Sequence, residues 1–572
     1  MELKEGQDDQ WRKLKGLLNP RGKSEYPTLI TKDAQGNETK AYTTEDKLDA
    51  FASSLEQTFT RDGETTKYND DWKHTIDNTI ICDAHLFTPL KHIDQDMTQH
   101  DDTIAMTELL DHITQLNIKK ASGHDTISNK IISKLLPSLV LILLSLYNTC
   151  LFLGYYPNTW KRAWALMILK PHKKKSGLGN FRPISLLCNL GKLLEAIITS
   201  RMKLWAEENH VLSPEQSGFR KNKSTNDKLF QLTQIISQNF ARSSCRTVGT
   251  LFLDIEKAFD RIWHNGLRFK LLSLRLPTLL LRWISNFLMG RIMQAYIKGE
   301  TSRDVIINHG VPQGSPLSPI LFIIFTCDLP LIRKPVFRSQ YADDIKLYTA
   351  APQIQTIRKR LQSSIKDLSL YCAGWRMGLC SKKTVLILFN RSNRKGQESC
   401  KLHIQGEVVK QAKTSKFLGI TFDQRLTFNN HFQTIACLAR QRITKLISIP
   451  NSRYGPSAHT LIRLYKTYVR TLFEYGSAAT CVAEPRVFDI WEKLQTRLIR
   501  HALDLPNYIR HDNLRRYADL PTVHDRVLYL AKRWYRKTLQ HNEPMRHFIQ
   551  HHTKYYAGFD KPRKTPYLEL RD

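Results

Sequence analysis

The sequence predicts an α+β fold made of several domains, and three observations lead to this prediction. The chain has 572 residues, which is too long for one hydrophobic core, so three or four domains or subdomains are expected. Short apolar runs bounded by turn residues or charges cluster in the middle of the chain, as in a sheet. After about residue 426 this strand signal ends, and apolar residues recur at helical spacing on a basic background.

The elements are predicted in chain order. Residues 1–100 are polar with short amphipathic stretches, which predict helices and linkers. From about residue 101 to 250, helical patterns alternate with turn signals. Helices are predicted at 313–328 and 353–376, between strands. The predicted strands lie in RTVGTLFLDI, QAYIKG, DVIINHGVP, QYADDIKLYTA, KTVLILFN, KLHIQGEVV and SKFLGITFD.

The charge of the chain is its most unusual bulk property. Lys and Arg number 86 against 53 Asp and Glu, a formal net charge of +33, and the sequence pI is about 9.7. Such a field attracts polyanions, so nucleic acid is the expected partner, with a ribosome-associated or membrane-surface protein as the alternative. Ten Trp and 21 Tyr favour folded domains over a disordered basic tail.

Other classes of protein are disfavoured by local features. The ten cysteines form no CxxC pair, which argues against a zinc knuckle, and a disulfide scaffold is not expected in so long a chain. The N-terminal sequence has no apolar core of a secretory signal, so a nuclear or cytoplasmic location is expected. The uncharged segment 138–157 is nearly long enough to span a bilayer, but Pro137 and internal polar residues favour a buried helix.

Two adjacent aspartates, Asp343 and Asp344, raise the question of a metal site. Three other Asp-Asp pairs occur, at 8–9, 70–71 and 101–102, and Asp is common in turns and helix N-caps, so the pair alone does not decide. Asp254 follows an apolar run that predicts a buried strand. A carboxylate there is costly unless it is paired or bound to a cation; the alternative is that it caps a helix starting near Glu256.

A tight hairpin turn at Asp343 and Asp344 would let both carboxylates point out of one edge of the sheet. Beside a third acid on a neighbouring strand, they would hold two divalent cations such as Mg²⁺, which prefers oxygen ligands. Two metals about 3.5–4 Å apart can activate one oxygen and stabilise the leaving one in phosphoryl transfer. In a strongly basic protein, this arrangement suggests polymerisation of nucleotides or hydrolysis of nucleic acid.

Six short motifs occur in one order along the chain: NFRPISLL (180–187), QSGFRKNKST (216–225), FLDIEKAFD (252–260), HGVPQGSPLSP (309–319), YADD (341–344) and FLGITFD (417–423). Together they resemble the reverse transcriptases of non-LTR (LINE-type) retrotransposons, the jockey-like group most closely, over roughly residues 100–510. The resemblance implies an RNA-directed DNA polymerase that adds dNTPs to a primer 3′-OH. Its implied partners are an RNA template, including the element RNA, a DNA primer and dNTPs, with no stable membrane association.

The resemblance also implies a right-hand polymerase with fingers, a mixed-sheet palm and a helical thumb. Five divisions are expected: an N-terminal helical or linker extension at 1–100, fingers with the start of the palm at 101–250, a palm with a primer-grip-like hairpin at 251–425, a thumb at 426–510 and a basic C-terminal helical region at 511–572. Relatives usually carry an N-terminal endonuclease. The first hundred residues are too short for one, so a truncated element product is expected.

By resemblance, Asp254, Asp343 and Asp344 are the catalytic acids, binding two Mg²⁺ ions, with Mn²⁺ as an alternative. The carbonyl of Ile255 adds a main-chain ligand at the nucleotide. Lys383, in WRMGLCSKKT, takes the position of a lysine proposed to protonate pyrophosphate as general acid. In the same motif Cys replaces the usual Asn at position 380, so weaker hydrogen bonding is expected in this loop.

Cationic residues are expected to bind the triphosphate. Arg182 can place two N–H donors on it, and Lys170 offers a point charge. The alternative for Arg182 is a surface salt bridge. Residues 173–175 are expected to form a solvated loop.

Three uncharged residues complete the expected nucleotide site. Gln313 and Gly314 would lie beside the incoming nucleotide and template, and a glycine lets the backbone approach a ligand closely; the alternative is an ordinary loop entering a helix. Phe259 resembles a steric gate at the ribose 2′-position, which favours deoxynucleotides; the alternative is a core aromatic on a helix. Two rival functions remain: a catalytically idle RNA-binding module and a metal-dependent nuclease.

Overall fold

The computed structural model describes residues 26–32, 38–59, 68–91, 103–171, 173–241, 246–391, 399–448, 456–553 and 570. Its strands are β1 (Leu29–Lys32), β2 (Glu38–Ala41), β3 (Arg162–Leu169), β4 (Phe181–Leu186), β5 (Thr247–Leu253), β6 (Arg291–Ile297), β7 (Glu300–Thr301), β8 (Val305–Ile307), β9 (Phe337–Tyr341), β10 (Asp344–Ala351), β11 (Val385–Phe389), β12 (His403–Ile404), β13 (Glu407–Val408), β14 (Lys410–Gln411), β15 (Thr414–Phe417) and β16 (Ile420–Asp423).

The α-helices are α1 (Thr44–Phe59), α2 (Asp70–Cys82), α3 (Ala84–Phe87), α4 (Met106–Thr114), α5 (Asn129–Ile132), α6 (Pro137–Leu153), α7 (Asn158–Lys161), α8 (Asn189–Glu208), α9 (Thr225–Ala241), α10 (His264–Ser273), α11 (Thr278–Leu288), α12 (Ser318–Phe325), α13 (Ile354–Gly374), α14 (Asn429–Ile447), α15 (Ala458–Leu464), α16 (Thr471–Glu474), α17 (Ser477–Thr480), α18 (Asp489–Leu503), α19 (His511–Ala518), α20 (Val523–His541) and α21 (Glu543–Thr553).

The central sheet has the strand order β14-β11-β5-β10-β9. β5 pairs antiparallel with β10 and β11, whereas β14 runs parallel to β11. All residues of β5 are buried. Because strand side chains alternate between faces, Leu251 and Leu253 join a core with α10, α12 and α13, and Val248 and Phe252 join a second core with α9, β15, β16 and the later helices. Burial on both faces fixes the register of β5, the strand that directly precedes Asp254.

A second sheet, the side sheet, has the order β4-β3-β6-β7, with β8 also pairing with β6. The sequence did not predict β3 and β4, since helices and turns were expected between residues 101 and 250. β3 is rich in Ala, Leu and Met, which favour helices, yet most of its residues alternate between buried and half-buried positions. β4 contains Pro183, which is tolerated because β4 lies at the edge of the sheet. The β1–β2 hairpin was not predicted either.

The predicted α+β class is confirmed, and its mixed sheets and helices are consistent with a right-hand polymerase fold. Helices follow β16, as expected from residue 426 onward. The helices predicted at 313–328 and 353–376 are shorter, at Ser318–Phe325 and Ile354–Gly374. The first begins late because Gly314 has a φ of 144°, which is not helical.

The apolar segment at 138–157 forms most of helix α6, which packs Val140, Leu143 and Tyr147 into the core. Within the part of the chain that the structure describes, no helix is long and apolar enough to cross a membrane. The segment is a helix as predicted, but only one face of it is buried, because Leu139, Leu141, Ile142 and Leu146 on the other face are exposed.

Of the three other Asp-Asp pairs, one lies within the described residues. The pair at 70–71 lies in the first turn of α2, where Asn69 accepts a hydrogen bond as N-cap. Acidic side chains there interact favourably with the helix dipole. The pairs at 8–9 and 101–102 lie outside the described residues.

Candidate active site

Asp254 stands directly after β5, at the end of the central sheet. Its main-chain carbonyl accepts a hydrogen bond from the Cys380 N–H at 3.0 Å. Residues 256–261 form turns, and the next helix begins at His264. The alternative in which Asp254 caps a helix near Glu256 is therefore wrong.

The Asp254 carboxylate has a counter-charge. Lys383 Nζ donates a hydrogen bond to Asp254 Oδ2 at 2.8 Å. This bond, followed by the charge of Asp254, raises the pKa of Lys383. The strand-ending acid is thus paired, as burial beside apolar strands requires. A metal ion binding at Asp254 would compete with Lys383 for the same oxygen.

The loop that carries Lys383 is held mainly by its backbone. Glu256 N–H donates to the Gly378 carbonyl at 2.8 Å, and Thr384 donates to the Cys380 carbonyl from both its N–H and its hydroxyl, at 3.0 and 2.7 Å. These contacts involve the backbone of Cys380 and not its side chain. Replacement of Asn by Cys is therefore compatible with an ordered loop.

Asp343 lies in the turn between β9 and β10, where Tyr341 pairs with Asp344. The predicted hairpin turn is confirmed. Ala342, the other turn residue, has a φ of 54°. This left-handed conformation costs a non-glycine residue about 1–2 kcal/mol, so the surroundings must hold it in place.

Residues 216–218, which we call the turn brace, hold this turn. Gln216 Oε1 accepts from the N–H groups of Ala342 and Gly218, at 2.9 and 2.7 Å, and Gln216 Nε2 donates to the Ala342 carbonyl at 3.2 Å. Ser217 N–H donates to the Gln340 carbonyl at 3.1 Å. A Cβ on Gly218 would lie 2.4 Å from Ala342 N, so only glycine fits this approach.

The charge of Asp254 acts on both Asp343 and Asp344. Burial raises the pKa of Asp343 and the charge of Asp254 raises it further, whereas Arg182 and Lys383 lower it. Burial, followed by the charges of Asp343 and Asp254, raises the pKa of Asp344 to about 6. Asp344 keeps a solvent-exposed edge, so neighbouring atoms desolvate its carboxyl without enclosing it. The structure therefore brings the predicted acids into electrostatic contact.

The described residues contain no group of three or more His, Cys, Asp or Glu side chains already arranged to hold a metal ion. The donor set nevertheless fits a hard divalent cation, because carboxylates and a carbonyl are oxygen ligands. The raised pKa values of Asp343 and Asp344 reflect burial and repulsion of negative charge, which a cation would offset. Lys383 is the cation that now lies at Asp254.

The predicted cations lie close to one another. Lys170 Nζ donates to the Gly179 carbonyl at 2.8 Å. Burial, followed by the charges of Lys383 and Arg182, lowers the pKa of Lys170. Arg182 is exposed on β4, and within the described ranges it has no ion pair, so the salt-bridge alternative is not observed. Residues 173–175 are exposed, as predicted.

The Gln313–Gly314 loop is attached to β4 and to the turn after β5. Ser185 N–H donates to the Gln313 carbonyl at 2.8 Å, and Gln313 Nε2 donates to Asp260 Oδ1 at 2.6 Å. A Cβ on Gly314 would lie 2.5 Å from the Ser185 carbonyl oxygen. The backbone at Gly314 thus lies close to the backbone of β4. Its predicted close approach to a nucleotide stays a prediction. Burial raises the pKa of Asp260, and the Gln313 bond opposes this.

Phe259 lies in the turn after β5, next to the Gln313–Gly314 loop. Its carbonyl accepts from the Val311 N–H at 2.9 Å. Its ring centroid is 4.8 Å from that of Phe322 and 6.3 Å from that of Phe219. The ring is partly buried against the core, but it is not on a helix.

Sequence reasoning did not assign roles to Gln216, Asp260 and Glu195. Gln216 is the first residue of one of the six motifs, and Asp260 follows Phe259 in another. The motifs therefore drew attention to both residues but did not indicate which residues they bond. Glu195 is a single acid in the apolar stretch LLEAII of α8, which is a signal for a buried, bonded carboxylate. The partners Ala342 of Gln216, Gln313 of Asp260, and Tyr156 and Ser315 of Glu195 lie between 39 and 126 positions away, beyond the reach of local pattern.

Residues 172–422 match the family model described as reverse transcriptase (RNA-dependent DNA polymerase). This match contains the three predicted catalytic acids, the turn brace and the Gln313–Gly314 loop, and it supports a reverse transcriptase domain and a nucleotidyltransferase.

Curated relatives from mobile elements narrow the comparison. A probable RNA-directed DNA polymerase from transposon BS of Drosophila melanogaster is 29% identical over 506 residues, covering 87% of this chain and 54% of that protein. The RNA-directed DNA polymerase from mobile element jockey of Drosophila funebris is 28% identical over 506 residues, covering 87% and 53%. The chain thus spans about half the length of these relatives.

A solved structure of apo telomerase from Candida tropicalis overlaps 73% of this chain and 74% of its own, with a TM-score of 0.35 and 11% identity. An overlap this loose carries no weight for function.

Proposed function

We propose that this chain is the RNA-directed DNA polymerase of a jockey-like non-LTR retrotransposon. The observation that carries the proposal is the meeting of Asp254, Asp343 and Asp344, where the charge of Asp254 helps to raise the pKa values of Asp343 and Asp344, inside a segment matching the reverse transcriptase family. The chain would act on an RNA template, including the element RNA, with a DNA primer and dNTPs. Its fingers, palm and thumb would lie near 101–250, 251–425 and 426–510.

In the proposed reaction, the primer 3′-oxygen attacks the α-phosphorus of the dNTP in line, and pyrophosphate leaves. The carboxylates of Asp254, Asp343 and Asp344 and the Ile255 carbonyl would hold two Mg²⁺ ions, or Mn²⁺. Such ions lower the pKa of the attacking hydroxyl and stabilise the leaving group. Gln313 and Gly314 would position the nucleotide beside the template.

The cations of the site have separate tasks. Arg182 and Lys170 would neutralise the triphosphate, which suits their position facing the acids. Lys383 would leave Asp254 as ligands bind and protonate pyrophosphate. A lysine is protonated at neutral pH, as a proton donor must be. The bond to Asp254 raises the pKa of Lys383, so loss of this bond would make Lys383 a better proton donor.

The test is extension of oligo(dT) on poly(rA) with Mg²⁺. Asp343→Asn is expected to lower the rate by at least about a hundredfold, because losing one metal-binding carboxylate removes several kcal/mol of transition-state stabilisation. Template binding, measured by fluorescence anisotropy, should be largely kept. Asp71→Asn, from an exposed Asp-Asp pair in a helix, is the matched control and should extend normally.

The rival functions give different results in the same assay. Binding of the template without any extension by the unmodified chain would indicate an idle RNA-binding module. Cleavage of labelled DNA in the absence of dNTPs, lost in Asp343→Asn, would indicate a nuclease. Full extension by Asp343→Asn would refute the catalytic assignment.

A further inference from the structure

Glu195 is a buried carboxylate outside the set of catalytic acids. It lies in the middle of α8 and is 0% exposed, with Leu194, Ile197 and Ile198 buried around it on the same helix. A carboxylate in such surroundings is costly unless its oxygens are hydrogen-bonded. The hydrogen-bond partners of Glu195 therefore indicate its role in the structure.

Both carboxylate oxygens of Glu195 accept a hydroxyl. Tyr156 OH donates to Oε1 at 2.5 Å, and Ser315 Oγ donates to Oε2 at 2.5 Å. Distances this short are typical of hydrogen bonds to an ionised oxygen. Burial, followed by the charge of Glu195, raises the pKa of Tyr156 well above its usual range, so its hydroxyl stays a donor.

Ser315 connects Glu195 to the nucleotide loop, because it follows Gln313 and Gly314 directly. Ser315 Oγ also accepts from the Leu317 N–H at 3.0 Å, at the entry to α12. The other side of the loop is attached to β4 through the bond from Ser185 N–H to the Gln313 carbonyl. The loop is therefore fixed from β4 on one side and from α8 on the other.

The Tyr156 bond satisfies the other buried oxygen of Glu195, whose position is set by helix α8. Gly191, one turn earlier on α8, lets the Tyr156 ring approach closely, since a Cβ there would lie 2.8 Å from the Tyr156 hydroxyl. Arg291 lies over the Tyr156 ring, with its guanidinium carbon 5.8 Å from the centroid. The two bonds of Glu195 thus differ in role: one offsets the cost of burying the carboxylate, and the other attaches the loop.

We propose that Glu195 is a positioning residue for the incoming nucleotide, acting through Ser315 on the backbone of Gln313 and Gly314. This inference rests on the proposed function, in which that loop lies beside the dNTP. Glu195 does not touch the nucleotide, and its effect is on the orientation of groups that do. A displacement of the loop weakens nucleotide binding more than primer binding.

The test compares Ser315→Ala, which removes the loop bond, with Tyr156→Phe, which removes the bond to the other oxygen of Glu195 and leaves the loop bond. Steady-state extension on poly(rA)/oligo(dT) gives KM for dTTP and for primer. Ser315→Ala is expected to raise KM for dTTP roughly tenfold, the effect of one lost charge-assisted hydrogen bond. The KM for primer should stay within about twofold. Tyr156→Phe should lower the melting temperature and leave KM for dTTP within about twofold.

A double-mutant cycle completes the design. Glu195→Gln combined with Ser315→Ala should raise KM for dTTP no more than Ser315→Ala alone, because both changes act on one contact. Extension by Ser315→Ala with an unchanged KM for dTTP, or an equal rise in Tyr156→Phe, would overturn this inference alone. Absence of extension by the unmodified chain would overturn the proposed function and this inference with it.

Discussion

At the scale of single residues, the ring of Phe259 connects local packing with sugar selection. Phe259→Ala is expected to raise incorporation of ribonucleotides relative to deoxynucleotides by about tenfold or more, since the proposed gate fills the space of a 2′-hydroxyl. Primer extension with paired dNTP and rNTP series measures this ratio.

The matched control for Phe259 is Phe219, the exposed member of the same aromatic cluster, with 42% of its surface accessible. Phe219→Ala removes an edge contact without opening the proposed gate, and its dNTP/rNTP ratio should stay at the unmodified value. If Phe259→Ala leaves the ratio unchanged and lowers only the melting temperature, the core-aromatic interpretation is correct.

The residues of the site differ in how far sequence could predict them. Asp254 was predictable as a strand-ending acid because local pattern places it after an apolar run. Its pairing with Lys383 was not, because the two residues are 129 positions apart and meet only when the loop after α13 folds against β5. Motif resemblance named both residues but gave no information on their contact.

At the scale of elements, the β9–β10 hairpin depends on the turn brace for its geometry. Gln216→Ala removes two accepted bonds and one donated bond. It leaves the N–H of Ala342, a residue in a left-handed conformation, without this acceptor, whereas the Ala342 carbonyl keeps the bond from Gln340 Nε2 at 3.3 Å. We expect a fall in kcat of at least about tenfold, together with lower stability by about 1–3 kcal/mol. Single-turnover extension and thermal unfolding measure the two effects.

Gln362 offers a matched control for Gln216. Its amide also bonds both the N–H and the carbonyl of one residue, His403, at 2.9 Å each. Gln362→Ala therefore removes a similar contact that joins α13 to β12 and not to the β9–β10 turn, and kcat should not change. Equal losses of kcat in both variants would show that the effect of Gln216 is not specific to the turn.

Strands that form an apolar run in the sequence were predictable. Strands that depend on tertiary pairing or on their position in the sheet were not. β5, β10 and β11 were visible as apolar runs because both faces of β5 and most of its neighbours are buried. β3 was missed because its residue types favour a helix, and tertiary pairing with β6 decides otherwise. β4 was missed because a proline argues against a strand unless its edge position is known.

At the scale of the whole molecule, helices beyond the family match are part of the same structure. Asp227 on α9 is 1% exposed and accepts from Trp534 Nε1 on α20 at 3.0 Å and from Asn542 Nδ2 at 2.9 Å. The next residue, Lys228, offers its carbonyl to Lys346 Nζ of β10 at 2.8 Å. A short chain of bonds thus links α20 to the strand that begins at Asp344.

Trp534→Phe is expected to lower the free energy of unfolding by about 1–3 kcal/mol, because it leaves the buried Asp227 carboxylate with one bond fewer. The phenyl ring can keep the contact with Phe230, whose centroid is 5.0 Å away. Urea unfolding followed by tryptophan fluorescence measures the change. Trp205→Phe is the control, since Trp205 is also partly buried and its indole N–H has no partner among the described residues. A loss no larger than the control's would contradict the role of this bond.

The Asp227 contacts also set an order of assembly during translation. Asp227 and Asn542 are 315 positions apart, so at about 5–20 residues per second the acid is made roughly 15–60 s before this donor. Ser224 donates to the Asp227 carboxylate from its N–H and its hydroxyl, at 2.9 and 2.8 Å, and is made at the same time as the acid. Only the bonds from Trp534 and Asn542 wait for the end of the chain, so the ribosome delivers the β9–β10 hairpin and its turn brace well before the last of these contacts.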